Sequence, residues 1–169
     1  LESIVVSDDG LGMDPEDVVL AFKRHSTSKI SHQDDLLRLG THGFRGEALP
    51  SIASVSNCIC ITNNHHQATK IHLSYGKIME VSPTYASNGT TMRIEGLFLK
   101  TPARLKHMKS IPYENALILD VMQKFALSYP HIAFSLIIDD KKVLETVSRA
   151  KLLHFQIRKK NIYIYFFFS

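Results

Sequence analysis

Apolar residues recur at two different spacings along the 169-residue chain, and the spacings predict helices and strands. Val18, Val19 and Phe22 recur at the helical spacing and predict a helix that runs from about Asp14 to Arg24. Similar reasoning predicts helices at 46–55, 102–109 and 112–128. Apolar runs bounded by turn residues predict strands at 2–7, 57–62, 68–74, 77–82, 90–97, 132–138 and 142–147.

The order of these elements predicts an α+β fold, with helices on one face of a mixed β-sheet. Hairpin turns are predicted at 76–77 and 139–141. Residues 25–42 are polar and predict a long loop with one short helical turn near 34–39. Long loops in compact domains are usually functional or disordered, so this loop is a candidate functional segment.

The two ends of the chain differ from the rest. Leu1 leads directly into a predicted strand, which favours an N-terminally truncated domain over 1–153. Residues 154–169 are interpreted as a divergent tail, of the kind that truncation or a frameshift leaves. The run at 162–169 is apolar and β-prone, and we expect it to lack a turn and a partner strand, which would make it prone to aggregation.

Composition narrows the class of protein. A hydrophobic share of 44% and a charged share of 21% are ordinary for a globular domain, and a net charge of +4 permits contact with nucleic acid. Cys58 and Cys60 alternate in a predicted strand, where neighbours on one face are poorly placed for a disulfide, so two buried thiols are expected. No signal segment and no apolar run of ~20 residues is present, which favours a cytoplasmic protein without membrane contact.

Three glycine-bearing segments carry candidate binding chemistry. Asp8 ends a predicted strand and can accept a hydrogen bond from an exocyclic amine, such as that of adenine, while Gly10 and Gly12 allow close approach of the backbone. Residues 43–46 precede a helix and leave N–H groups at the positive end of its dipole, which favours phosphate. Thr90 begins a strand and can bond a base or a water. Taken singly, each segment is more simply a turn, a helix start or a strand residue.

Taken together and in this order, the segments closely resemble the MutL family of DNA mismatch-repair proteins. MutL is one branch of the GHKL group, which also contains gyrase B, the ninety-kilodalton heat-shock chaperones and histidine kinases. The motifs Arg-His-x-Thr-Ser-Lys, Gly-Phe-Arg-Gly-Glu-Ala and Thr-Pro-Ala-Arg are particular to MutL. The resemblance spans about residues 2–153 and implies a GHKL-type (Bergerat) ATP-binding sandwich. The segments that carry it are 8–13, 24–30, 43–55, 89–91 and 97–106.

The resemblance also implies a role for individual residues of an ATP site. Asp8 looks like the carboxylate that reads adenine, with Gly10 and Gly12 shaping its pocket and Thr90 supporting the same contact. For Phe44 and Glu47, a purely structural role is as good an explanation as direct contact with the ligand. The positions implied to face the phosphates are Thr27, Ser28 and Lys29 in an ATP lid, and Gly43, Phe44, Arg45, Gly46 and Glu47 in the loop and helix start that cradle the triphosphate.

The family's general-base Glu and its magnesium-binding Asn lie on a helix upstream of the first strand, and this chain contains neither. No residue of the chain is therefore assigned as catalytic or as a metal ligand, and the magnesium ion is expected to arrive with ATP. General-base help is typically worth 10²–10⁴-fold, so the chain alone is not expected to hydrolyse ATP appreciably.

For the parent protein, the resemblance implies an ATP-driven clamp in a bacterial cytoplasm, acting at the nucleoid. Slow hydrolysis would link mismatch recognition by a MutS-type sensor to a downstream nuclease. DNA would be held without sequence preference and the full-length protein would be a homodimer. Two alternatives stay open: a non-catalytic truncated remnant, and another GHKL ATPase of gyrase B-like or chaperone-like type.

Overall fold

The computed structural model describes residues 2–23 and 47–147, together with the backbone of two strands at 157–158 and 161–167. Helices and consecutive strands are mixed, as the sequence predicts. In chain order the elements are β1 (Ser3–Asp8), α1 (Pro15–Ala21), α2 (Ala48–Ser54), β2 (Asn57–Asn63), β3 (Ala68–Ser74), β4 (Lys77–Thr84), β5 (Gly89–Glu95), α3 (Pro102–His107), α4 (Ile111–Ser128), β6 (Ala133–Ile138), β7 (Lys141–Glu145), β8 (Ile157–Arg158) and β9 (Asn161–Phe167).

All the described strands join one nine-stranded sheet. Eight of them follow the order β4-β3-β2-β5-β1-β9-β6-β7, and β8 pairs with β9 beside this path. The β1–β9 pair is parallel and the other described pairs are antiparallel, so the sheet is mixed. The prediction of an α+β fold with a mixed sheet is confirmed.

Two hairpins close through tight turns that require positive φ at both central residues. Tyr75 and Gly76 have φ values of 46° and 85°, and Asp139 and Asp140 have values of 53° and 62°. Turns of this kind match the twist of the flanking strands. The first turn lies one residue earlier than predicted, because Lys77 already pairs with the last residue of β3.

The core lies between the helices and the inward face of the sheet. Cys58 and Cys60 alternate along β2 and are fully buried beneath Val18 and Phe22 of the first helical segment, which confirms the predicted core stripe there. A second cluster forms where Met122 of α4 packs on β6. Burying one large apolar side chain stabilises the fold by roughly 1.5–3 kcal/mol, so these clusters fix the helices against the sheet.

The apolar run near the chain end does have partner strands, contrary to the sequence prediction. β9 lies between β1 and β6, parallel to the first and antiparallel to the second. The sequence pattern shows that the run favours a strand, but it cannot show that two strands distant along the chain leave a space for it. The division into a domain at 1–153 and a tail at 154–169 stays a prediction.

Candidate functional site

Asp8 ends β1 at the edge where three loops meet, and two backbone amides hold its carboxylate. The Gly10 N–H donates to Oδ1 at 2.9 Å, and the Thr90 N–H donates to the same oxygen at 3.2 Å. The second bond follows from the strand register, because Asp8 is paired with Thr90 across the β1–β5 ladder. Both bonds use Oδ1, and no described residue donates a hydrogen bond to Oδ2.

The environment of Asp8 changes the acidity of its carboxyl group. Burial raises the pKa of Asp8 above its ordinary value, and the nearby charge of Asp9 adds to this effect. The two amide hydrogen bonds from Gly10 and Thr90 lower the pKa and offset part of the rise. A partly dehydrated carboxylate forms a stronger hydrogen bond than one in bulk water, so this position favours recognition of a donor.

A second polar side chain, Thr62, supports the site from β2. Its hydroxyl is fully buried, lies 3.1 Å from the Thr90 hydroxyl, and accepts a hydrogen bond from the Met13 N–H at 2.9 Å. Thr62 thereby ties the glycine loop after β1 to the strand that carries Thr90. Sequence reasoning missed this residue, although its signal is present: Thr62 is the next inward position after Cys58 and Cys60, and it is polar.

Two glycines bring the loops close to the strand ends. Gly12 has a φ of +69°, and a Cβ placed there would overlap the carbonyl oxygen of Asn63. Gly89 has a φ of +104°, and its Cβ would overlap the carbonyl oxygen of Asp8. Only glycine fits such contacts, and the result is a tightly packed cradle of backbone around the Asp8 carboxylate.

The structure brings four of the predicted site residues together: Asp8, Gly10, Gly12 and Thr90. Glu47 is exposed at the N-cap of α2, where its carbonyl accepts a hydrogen bond from the Ser51 N–H at 3.1 Å, and its role stays a prediction. The hydrogen bonds around Asp8 do not include it. The remaining predicted positions lie outside the described residues, and their roles stay predictions: Thr27, Ser28, Lys29, Gly43, Phe44, Arg45 and Gly46.

Other chemistry at the described residues is limited. Within 2–23 and 47–147, no group of three or more His, Cys, Asp or Glu side chains is arranged to hold a metal ion. Cys58 and Cys60 are free, as predicted, and burial raises the pKa of each thiol to about 12. Among the described helices none has the length and apolar character to cross a membrane.

Comparison with known proteins identifies the family. Residues 1–106 match the family described as histidine kinase-, DNA gyrase B- and HSP90-like ATPases. The DNA mismatch repair protein MutL of Lactiplantibacillus plantarum is 48% identical over 152 residues, and that of Shouchella clausii is 45% identical over 152 residues. The chain belongs to the MutL family of these ATPases. Each match covers 90% of this chain, which spans 22% and 23% of the two MutL relatives.

Solved structures support the same fold for this MutL-family chain. The Aquifex aeolicus MutL ATPase domain complexed with ADP matches with a TM-score of 0.65 at 23% identity, over 89% of this chain and 53% of that one. The N-terminal domain of a DNA repair protein matches with a TM-score of 0.69 at 33% identity, over 89% of this chain and 46% of that one. The GHKL-type fold expected from the sequence is therefore confirmed.

Proposed function

We propose that this chain binds an adenine nucleotide and that Asp8 recognises the amino group of the base. The observation that carries the proposal is the half-buried carboxylate, which two amides hold through Oδ1 while Oδ2 stays available. Family membership and the ADP bound by the Aquifex aeolicus domain both favour a nucleotide as the ligand.

The geometry favours adenine over guanine. A carboxylate only accepts hydrogen bonds, and adenine offers an amino donor at the position where guanine has a carbonyl oxygen. A guanine carbonyl would face Asp8 with acceptor against acceptor, and both groups would lose water on binding. Since such a mismatch in a buried site costs more than a missing bond, Asp8 selects for the amine.

Other residues of the site would not contact the base but would hold the surrounding backbone in place. Gly12 and Gly89 let backbone approach without a Cβ, and Thr62 fixes the loop through Met13 and the strand through Thr90. The phosphates would lie against the lid and loop residues at 27–29 and 43–47, which remain predicted contacts. Magnesium would enter with the nucleotide and offset phosphate charge, since the described residues alone do not form a metal site.

For the whole protein we propose the MutL role in DNA mismatch repair. Nucleotide binding and slow hydrolysis would drive a clamp that links a MutS-type sensor to a downstream nuclease. The protein would act as a homodimer in the cytoplasm, at the nucleoid. The clamp would hold DNA mainly through phosphates, so its affinity should fall as salt rises. The similarity to MutL relatives over 90% of this chain supports this role.

Calorimetric titration of the 169-residue chain with ADP tests the nucleotide proposal. Asp8→Asn replaces the accepting Oδ2 by an amide, and losing a charge-assisted hydrogen bond should weaken ADP binding by roughly 10- to 150-fold. Asp9→Asn removes the same charge from the adjacent position and should change affinity less than threefold. Equal losses in the two variants would mean that charge near the loop, and not the Asp8 contact, holds the nucleotide.

A further inference from the structure

The hairpin loop between β2 and β3 lies against the glycine loop of the nucleotide site, which we define as residues 9–13. A Cβ placed at Gly12 would lie 2.1 Å from the carbonyl oxygen of Asn63, so the backbones of the two loops are in direct contact. Asn63 is the last residue of β2 and Asn64 is the first residue of the hairpin loop. Their side chains bond three separate loops, and we name this pair of residues the asparagine clasp.

The side chain of Asn64 is oriented by the hairpin loop itself. Its Oδ1 accepts hydrogen bonds from the His66 N–H at 3.1 Å and from the Gln67 N–H at 2.9 Å. These two donors fix the orientation of the amide, because the reverse orientation would place donors against donors. The Nδ2 group is therefore the end that meets Asp14, and it donates to Oδ1 of that residue at 2.5 Å.

Asp14 is the N-cap residue of α1, but its side chain does not cap the helix. An Asp at this position usually accepts a hydrogen bond from an N–H of the first helical turn. In the described part of the chain the Asp14 carboxylate makes no such capping bond, although its backbone carbonyl accepts the Val18 N–H at 2.9 Å. The carboxylate instead accepts the bond from Asn64, which is 50 residues away in the sequence. Helix stability alone does not explain this arrangement.

Asn63 fixes the hairpin loop on its other side. Its Oδ1 accepts a hydrogen bond from the His65 N–H at 3.0 Å, and its Nδ2 donates to the carbonyl of Ala86 at 2.7 Å. Ala86 lies in the loop between β4 and β5, shortly before Thr90, whose N–H bonds the Asp8 carboxylate. The hairpin loop is thus tied to the segments on both sides of that carboxylate and is a fixed support for Asp14.

We infer that the asparagine clasp positions the glycine loop for nucleotide binding, with Asn64 as the positioning residue. The loop is held near its start by the bond from the Gly10 N–H to Asp8, and at its end by the bond from the Met13 N–H to Thr62. The bond from Asn64 to the next residue holds the loop end against the hairpin. A loop that is ordered before the ligand arrives loses less entropy on binding. The effect on the nucleotide rests on the proposed function, whereas the ordering of the loop does not.

A swap of two side chains tests the inference in the 169-residue chain. N64D keeps an acceptor for the two loop amides, but it removes the donor and faces Asp14 with a like charge. D14N/N64D restores a bond between an amide and a carboxylate in the opposite direction. The matched control is N64D/E16Q, which restores the net charge on the exposed first turn of α1 without restoring the bond.

Calorimetric titration with ADP measures the effect of the bond. Because the bond is charge-assisted but lies at the surface, N64D and the control should bind ADP roughly three- to tenfold more weakly than the parent chain. The swapped variant should bind within about twofold of the parent chain. Equal recovery in the swapped variant and the control would show that net charge alone is responsible, and this result would overturn the inference.

The preference for ADP over GDP separates positioning from stability. Partial unfolding weakens the apparent affinity for both nucleotides by the same factor, because only the folded fraction binds either of them. A displaced glycine loop also loosens the Gly10 N–H on the Asp8 carboxylate, so N64D should lower the preference by roughly threefold. The swapped variant should restore it. An unchanged preference in N64D would assign the clasp to stability alone and overturn the inference.

Hydrogen exchange without nucleotide tests the loop independently of the proposed function. A peptide covering residues 9–14 should exchange roughly fivefold faster in N64D than in the parent chain and recover in D14N/N64D, while a peptide covering β6 at 133–138 should not change. Unchanged exchange of residues 9–14 in N64D would overturn the inference, even in a chain that binds no nucleotide. Equal affinity of the parent chain for ADP and GDP would contradict the proposed function and leave the exchange result to decide the positioning.

Discussion

Asp8 serves binding at a cost to folding. Its carboxylate is buried enough that its pKa is raised, while the two amides that donate to Oδ1 hold the group in place and leave Oδ2 without a described hydrogen bond. A buried carboxylate with a raised pKa destabilises the folded state when it is ionised. Such a residue is retained when it acts on a ligand, which is why this residue is the centre of the proposed site.

The pH dependence of stability should reveal the cost of Asp8. Because the folded pKa is raised above the unfolded one, the penalty is fully present above the folded pKa and disappears below the unfolded one. Asp8→Asn keeps an acceptor for both amides and removes the charge. The variant should therefore be more stable than the parent chain at pH 7, and its advantage should shrink as the pH falls toward 4. Urea unfolding at several pH values measures this, and an advantage that grows in acid would contradict it.

Glycines with positive φ differ in what surrounds them, and Gly89 of the site can be compared with Gly76 of the β3–β4 turn. Gly89→Ala combines a φ of +104° with a Cβ that overlaps backbone, and should cost more than about 3 kcal/mol of unfolding free energy. Gly76→Ala has a φ of +85°, but the nearest atom lies 3.6 Å away, so it should cost only about 1–2 kcal/mol. Urea midpoints of the two variants decide the matter, and equal destabilisation would mean that φ alone requires glycine at 89.

The sequence predicts a site residue where a polar or glycine residue interrupts a recognisable pattern, such as an apolar strand or a turn. Asp8 stood out because a carboxylate follows an apolar strand, and Gly12 because glycine loops permit positive φ. Thr62 was missed, since a threonine in a strand is ordinary until its pairing with Thr90 is known. Local pattern does not specify which strands become neighbours, and the site depends on that pairing.

Four neighbouring strands each place one polar residue near the strand end, and these residues form a row across the sheet. Thr69 of β3, Thr62 of β2, Thr90 of β5 and Asp8 of β1 stand opposite one another in register. The face on which each residue lies follows from the alternation along its own strand. The row itself exists only because the register aligns the four strand ends. Most predicted strands agree with the observed ones within two residues, whereas the order of the strands was not predicted.

Two neighbouring threonines of this row should respond oppositely to the same substitution. Thr62→Val leaves the Met13 N–H without its acceptor and should cost about 1–2 kcal/mol of unfolding free energy. Thr69→Val removes a buried hydroxyl that has no hydrogen-bond partner among the described residues, and should stabilise the chain by about 1 kcal/mol. Denaturant unfolding compares them; destabilisation by Thr69→Val would show that this hydroxyl has a partner.

The ends of elements are set by single residues that the periodicity does not reveal. β5 was predicted to reach residue 97 but ends at Glu95, because Gly96 has a φ of +61° and turns the chain out of the sheet. α3 was predicted to reach residue 109 but ends at His107, where Met108 adopts an extended backbone. In both cases apolar residues follow the end of the element, so a prediction from the hydrophobic pattern makes the element too long.

At the scale of the whole molecule, β9 joins two parts of the sheet that would otherwise be separate. Its backbone pairs with β1 on one side and β6 on the other, whereas β4 has a single neighbour among the described strands. Hydrogen exchange should therefore be slower in a peptide covering residues 161–167 than in one covering 77–84. Exchange of 161–167 at the rate of an unstructured peptide would contradict this pairing and favour the separate tail.

The central claim is that Asp8 reads an adenine amine, and a comparison of ADP with GDP tests it most directly. The two nucleotides carry the same phosphates and ribose, so phosphate contacts cancel in the comparison. Calorimetric titration of the 169-residue chain should give ADP an affinity at least tenfold above that of GDP, and Asp8→Asn should abolish most of the difference. Equal affinity for ADP and GDP in the unmodified chain would contradict the claim.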